Sequence, residues 1–279
     1  MKFSTALEQT QKQPFLRLKE TIMKLKITFI CILVATFGLA QTTEMVSIKG
    51  GEYIPLYGRD SATVKVASLQ MDVFPVTNAQ FLEFVKEYPK WQKSNVKALF
   101  ADKNYLRKWE ADTLLGKQQS KNAPITNISW FAAKAYCDCK GKRLPTVDEW
   151  EYVAMADKSL ADARSKKSYN QYILSWYETA KTYDNEIGKT FKNYWGVYDL
   201  HGLVWEWTLD FNSVLISGES RKDVDKDSNL FCGTAAIGAT DLMNYAAFMR
   251  YAFRGSIKAN YAVQNLGFRC VKDIKNEEL

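Results

Sequence analysis

The sequence predicts an α+β domain built from short strands, few helices and much irregular chain. Three observations carry this expectation. Strand patterns lie near both ends of the chain, helices with legible caps lie between them, and no internal repeat or Gly/Ser/Pro-rich linker divides the whole. Composition agrees: 47% hydrophobic and 14% aromatic residues among 279, with 14 Gly and 6 Pro, is neither disordered nor fibrous. A single domain of this length can bury about 70% of its extended surface.

The elements follow in chain order. Lys24 and Lys26 precede an apolar run from Ile27 to Phe37, and Gly38-Leu39-Ala40 follows. A basic start, an apolar stretch too short to span a bilayer and small residues before a cut predict a signal peptide over 1–40, cleaved after Ala40. Met23 directly precedes this pattern, so residues 1–22 are either a mis-assigned start or a long basic leader. Cys31 falls inside the apolar run without the small residues that a lipidation site places before its cysteine. The remaining 41–279 read as one domain, exported to an oxidising compartment, with no membrane span in the mature chain.

Met45–Ile48, a Lys49-Gly50-Gly51 turn and Glu52–Ile54 read as strand, turn, strand. Val64 and Val66 alternate with polar or small residues, and Leu69–Phe74 forms another strand that ends at Pro75. Thr77 with Gln80 makes a capping box for a helix burying Phe81, Phe84 and Val85. Lys90–Lys121 reads as a polar surface excursion. Ser129 caps a second helix that runs to Lys140 before Gly141, with Trp130, Ala133 and Cys137 as its stripe. Thr146 with Glu149 caps a third, carrying Trp150 and Val153. Residues 157–190 read as charged and irregular, and Gly267–Val271 as a last strand.

Charge excludes one class of partner. The formal charge is +7, but the first 40 residues hold six Lys/Arg against two Glu, leaving only +3 for the rest. Nucleic acid is therefore not an expected partner. A single histidine, His201, excludes haem and His-ligated iron sites that need several imidazoles.

Several segments together carry a resemblance: Met45–Gly51 with Val76–Phe81, Ser129-Trp130 with Ala135–Cys137, and Gly141–Thr146 with Glu149–Tyr152. Gly196–Gly202 with Val204–Trp207 and Asn265–Cys270 complete it. In this order, over about 44–272, they resemble the formylglycine-generating enzyme, or sulfatase-modifying factor, domain family. The resemblance implies a C-type-lectin-like fold with short strands, few helices and many ordered loops.

It also implies a disulfide between Cys137 and Cys270. Two buried free thiols are the alternative; a closed loop this long would stabilise by about 4–5 kcal/mol. Cys139 and Cys232 are left over, and Cys137-Asp138-Cys139 has no redox-motif spacing. The resemblance further implies at most one calcium ion, held by the Asp199 and Glu206 side chains and the carbonyls of Gly202 and Val204. The mixture of carboxylates and carbonyls suits a hard cation. The alternative reading makes Asp199 a turn residue and Glu206 the partner of a buried arginine. A second calcium loop would fall within 170–193, where no clear ligand set remains.

Active members of the family oxidise a substrate cysteine with copper(I) held by two cysteines on a loop before the last strand. Those positions fall on Asp241 and Ala246, and neither bears sulfur. Copper(I) is a soft ion that needs thiolates, so the resemblance leaves the copper site unbuilt. His201 lies in the cation loop, where a structural role is favoured over a general base. What remains is a cleft with Trp205, Tyr245, Phe248, Arg250, Tyr251 and Arg254. Two guanidiniums four residues apart, with aromatic neighbours, suit a carboxylate, a phosphate or an extended peptide. They equally suit buried pairs with carboxylates such as Asp210 or Glu206.

The resulting expectation is a non-enzymatic binding or maturation accessory for another periplasmic protein or complex. The resemblance names a nitrite reductase or motility machinery as examples. An oxidoreductase of the formylglycine-generating type working through Cys232, and a lectin-like glycan-binding module, are the two alternatives.

Overall fold

The computed structural model describes residues 43–56, 62–213 and 242–274, so the predicted signal peptide, Cys31, Cys232 and Asp241 lie outside the described residues. Among the described residues, seven short strands and five α-helices alternate with long stretches of turn and irregular chain, as an α+β domain should.

The strands β1 (Met45–Ile48), β4 (Leu69–Asp72) and β7 (Val271–Asp273) form one antiparallel sheet in the order β1-β4-β7. Met71 stands opposite Val46 on one side and Val271 on the other, so the first and last parts of the domain meet in β4. The strands β2 (Gly51–Tyr53) and β3 (Val64–Val66) make a separate antiparallel hairpin. The strands β5 (Trp205–Glu206) and β6 (Leu266–Gly267) pair in parallel. The predicted single last strand is thus two: Leu266–Gly267 pair with β5 and Val271–Asp273 with β4, and between them the Cys270 amide donates to the Asp72 carboxylate rather than to a neighbouring strand.

Local chemistry starts the first three helices where the sequence places them. In α1 (Asn78–Glu87), the Gln80 amide donates to Thr77 Oγ1 at 3.3 Å, and the Gln80 side chain accepts from the Thr77 amide at 2.9 Å. Thr146 with Glu149 caps α3 (Val147–Ala154) in the same reciprocal way, whereas Ser129 caps α2 (Trp130–Cys139) by accepting from the Ala132 amide alone. Their apolar faces converge. Phe81, Phe84 and Val85 of α1 pack with Ala133, Tyr136 and Cys137 of α2 and with Phe268 in one core. A second core joins Trp150 and Val153 of α3 to Met71, Leu69 and Val271 of the sheet. Cys137 and Cys270 are disulfide-bonded with Cα atoms 5.6 Å apart, tying α2 to the residue just before β7 across 133 residues.

Two readings need correction. Within the Lys90–Lys121 excursion, Tyr105, Leu106 and Trp109 are buried, and the Tyr105 hydroxyl donates to the Trp91 carbonyl at 2.9 Å. The lysines stay in water while the aromatic rings fold under them, with Trp109 edge-on to Phe81. The 157–190 stretch contains a further helix, α4 (Lys167–Glu178), which buries Tyr169, Asn170 and Ile173 against α5 (Leu242–Ser256). None of the helices among the described residues is long and apolar enough to cross a membrane.

Candidate functional site

Glu149 caps α3, but two residues later Glu151 points inward. Its carboxylate is buried between two arginines of α5. Positions 250 and 254 lie one turn apart, so both guanidiniums reach the same side of that helix. Arg250 donates to Glu151 Oε2 from Nη2 at 2.7 Å and to Oε1 from Nε at 2.9 Å. Arg254 Nη1 donates to Oε1 at 2.7 Å. Burial alone would push the Glu151 carboxyl up; Arg250 and Arg254 outweigh it and hold it at about 2. Both guanidiniums also lie over Trp150, at 5.7 and 5.1 Å from its ring. The arginines are therefore paired, with Glu151 and with neither Asp210 nor Glu206; Asp210 instead accepts from the Val147 amide at 2.8 Å.

Glu206 is engaged by another arginine. Its two oxygens accept from Arg269 Nε and Nη2 at 2.8–3.0 Å, and Oε2 also accepts from the Trp150 indole at 2.8 Å. Neither the Glu206 nor the Arg269 side chain is exposed. The remaining Arg269 donors hold the carbonyls of Asp72, Val73 and Tyr198.

Beside these pairs lies a cleft of about 250 Å³, walled by Trp176, Tyr177, Trp205 and Phe253, with Arg254 and Lys181 among its lining. Trp205 is stacked between Tyr177 at 5.0 Å and Phe253 at 4.8 Å. Of the predicted cleft residues, Trp205, Arg250 and Arg254 line this space, whereas Tyr245 does not. Ala246, expected on a loop, sits on α5 with its methyl buried beside Ala163, Tyr169 and Ile173. It borders a separate void of only about 20 Å³.

His201 is buried, with Nε2 donating to the Ala154 carbonyl at 3.0 Å. Burial first, and then the Arg250 charge, lower its pKa to about 3, so the ring is neutral and positioned as structure. The residues implied for calcium do not fit that ion as placed. Asp199, at φ 60°, accepts from the Thr190 amide at 3.0 Å, from the Thr190 hydroxyl at 2.9 Å and from the Gly188 amide. Glu206 is already neutralised by Arg269, whose charge would oppose a divalent cation. Among the described residues, no group of three or more His, Cys, Asp or Glu is placed to hold a metal. Among the described residues copper(I) finds no thiolate pair either. Ala246 offers a methyl group, and the free thiol among the described residues, Cys139, lies on α2 with Sγ 3.0 Å from the Tyr136 carbonyl.

Sequence reasoning missed Glu151, the partner of both arginines, and the wall formed by Trp176 and Tyr177. Glu151 did carry a signal: a carboxylate beside Trp150 on a helix with nearly every position buried must find a cation. Trp176 and Tyr177 lay in the stretch read as irregular.

An α+β domain with paired capping boxes, a helix-to-last-strand disulfide and an arginine-lined cleft at a Trp-Glu-Trp strand defines a class. The chain matches the sulfatase-modifying factor enzyme 1-like domain over residues 33–274 and belongs to that family. It is a member without the catalytic cysteine pair. It is 29% identical to the bovine inactive C-alpha-formylglycine-generating enzyme 2, over 84% of this chain and 89% of that one. It is 27% identical to the Chlamydia trachomatis serine/threonine-protein kinase Pkn1, over 84% of this chain but 39% of the kinase. The formylglycine-generating enzyme of Streptomyces coelicolor is 30% identical over 54% of this chain and 53% of its own length.

Proposed function

We propose that the protein is an exported, non-catalytic binding or maturation accessory, acting on another protein of the same compartment. The observation that carries this reading is Ala246, a buried methyl group where active relatives need a thiolate. The name of the bovine relative, an inactive enzyme matched over most of its length, supports the same reading. The kinase relative, of which this domain matches only a part, supports an accessory role beside other proteins. A periplasmic enzyme such as a nitrite reductase, or motility machinery, is the kind of partner that the family resemblance suggests. The signal peptide over 1–40 would deliver the chain, and residues 41–279 would act as one domain without calcium.

The test is copper(I) titration of the purified protein, combined with a peptide-cysteine oxidation assay on wild type and Cys232→Ser. The expected result is no stoichiometric copper and no oxidation. One copper(I) per chain with turnover that depends on Cys232 would overturn the reading. N-terminal sequencing of the exported chain checks cleavage after Ala40.

A further inference from the structure

Two buried arginines, Arg250 and Arg254, line the cleft and a third, Arg269, pairs with Glu206 of its lining; two of the three use the same edge of the guanidinium. Arg250 offers Nε and Nη2 to Glu151, and Arg269 offers Nε and Nη2 to Glu206. This side-on fork matches the two oxygens of a carboxylate. Arg254 is 5% exposed and differs from both. Only its Nη1 is engaged, by Glu151, while its Nε and Nη2 have no hydrogen-bond acceptor among the described residues. Arg254 lines the cleft, so this side-on fork is left for a ligand or water there.

Charge points the same way. One Glu151 carboxylate faces two guanidiniums, and Glu206 is neutralised by Arg269, so among the described residues the ion pairs at the cleft leave one guanidinium charge in excess. Lys181, exposed on the cleft rim in the left-handed backbone region, adds a second. The walls beside this charge are Trp176, Tyr177, Trp205 and Phe253.

We infer that the Nε–Nη2 edge of Arg254 is a binding site for the carboxylate of a ligand with an aromatic or aliphatic body, the body packing against the Trp205–Phe253 wall. This rests on the binding-domain reading and names the ligand chemistry of its cleft. A carboxylate fits better than a phosphate: a single side-on fork offers two donors to two oxygens, and the two neighbouring arginines already hold carboxylates this way. The carboxylate could belong to a small organic acid or to the C-terminus of a peptide.

The probes are N-acetylphenylalanine, its amide, a tetrapeptide ending in a free phenylalanine carboxylate, and inorganic phosphate. Binding is read by calorimetry and by quenching of tryptophan emission on the purified protein. The acid should bind, with the amide and phosphate at least tenfold weaker. Arg254→Lys keeps a charge for Glu151 but not the fork, and should weaken the acid on the order of 10- to 100-fold. Circular dichroism checks that this variant is folded, and the acid-to-amide ratio on wild type stands if it is not. Tighter binding of the tetrapeptide places the carboxylate on a peptide; equal binding places it on a small acid; both support the site. Equal binding of acid and amide, phosphate binding tighter than the acid, or no binding at millimolar acid would overturn it. Those failures would leave the copper result untouched, so the ligand and the non-catalytic reading are lost separately.

Discussion

Arg269 and Glu206 meet 63 residues apart in sequence with Nη2 2.8 Å from Oε1 and with neither side chain reaching solvent. This pair joins β5 to the segment before β7, and the Trp150 indole ties α3 to the same carboxylate. A buried pair of this kind stabilises weakly against an apolar substitute, but breaking it leaves a bare charge. Glu206→Gln should therefore destabilise the domain by about 3–5 kcal/mol in urea unfolding. The same position tests calcium. Because Arg269 already neutralises Glu206, excess chelator should leave the wild-type melting temperature unchanged. A fall on chelation, restored by calcium, would show that these carboxylates serve a cation after all.

Acid should unfold the domain through two identifiable groups. Glu151 titrates at about 2 in the fold against an ordinary 4.5, since Arg250 and Arg254 overcome the burial that pushes it up. A depressed carboxyl contributes stability that is complete above about 4.5 and is lost as pH falls toward 2. His201 is lowered to about 3 from 6.5 by burial and then by Arg250. The unfolded chain binds that proton first, so stability also falls as pH drops from 6.5 toward 3, by up to about 1.4 kcal/mol per pH unit. His201→Gln should flatten stability between pH 6.5 and 4.5, and leave the steeper loss below 4.5. Urea midpoints measured across pH 3–7 on both proteins check this; superimposable curves would remove His201 from the account.

The Cys137–Cys270 disulfide closes a loop of 133 residues between α2 and the residue just before β7. Cys270 also donates its amide to Asp72, which Lys142 neutralises at 2.6 Å, so the bond lies on an ordered strand edge. Cys137→Ser/Cys270→Ser should lower stability by about 4–5 kcal/mol on the chain-entropy estimate. The check is the urea midpoint of the double variant against wild type, with mass spectrometry confirming that the wild-type thiols are oxidised.

What was legible in the sequence was local. Thr77 with Gln80 and Thr146 with Glu149 announce helix starts because a cap is completed within three residues. Helix α4 has no such signal: Lys166 stands at its cap with no side-chain bond to the helix N-terminus, and lysines crowd its approach. Trp109 was hidden among lysines for the same reason, since composition over a window conceals a single ring that folds inward. The cleft depended on distance. Arg250 and Arg254 were legible as a pair on one helical face, but their partner lies 99 and 103 residues away, and only tertiary packing selects Glu151 over the other carboxylates. The signal at positions 241 and 246 was of another kind: chemistry absent from the residues themselves, which no packing restores.

Gly202 connects the cleft wall to its support. At φ 120° it occupies backbone that a side chain rarely adopts, and an added Cβ would lie 2.7 Å from Trp176 and 2.8 Å from Thr190. Trp176 is on α4, and Thr190 holds Asp199 through both its amide and its hydroxyl. Gly202→Ala must therefore bend the loop or displace α4, which packs on α5 where Arg250 and Arg254 sit. Backbone strain of this kind costs roughly 1–3 kcal/mol. The variant should unfold at lower urea and, while still folded, show a shifted tryptophan emission maximum as Trp176 moves from the cleft wall. Retained stability and an unchanged emission maximum would mean that the wall can yield by a full methyl group, and that Gly202 is there for reasons other than this contact.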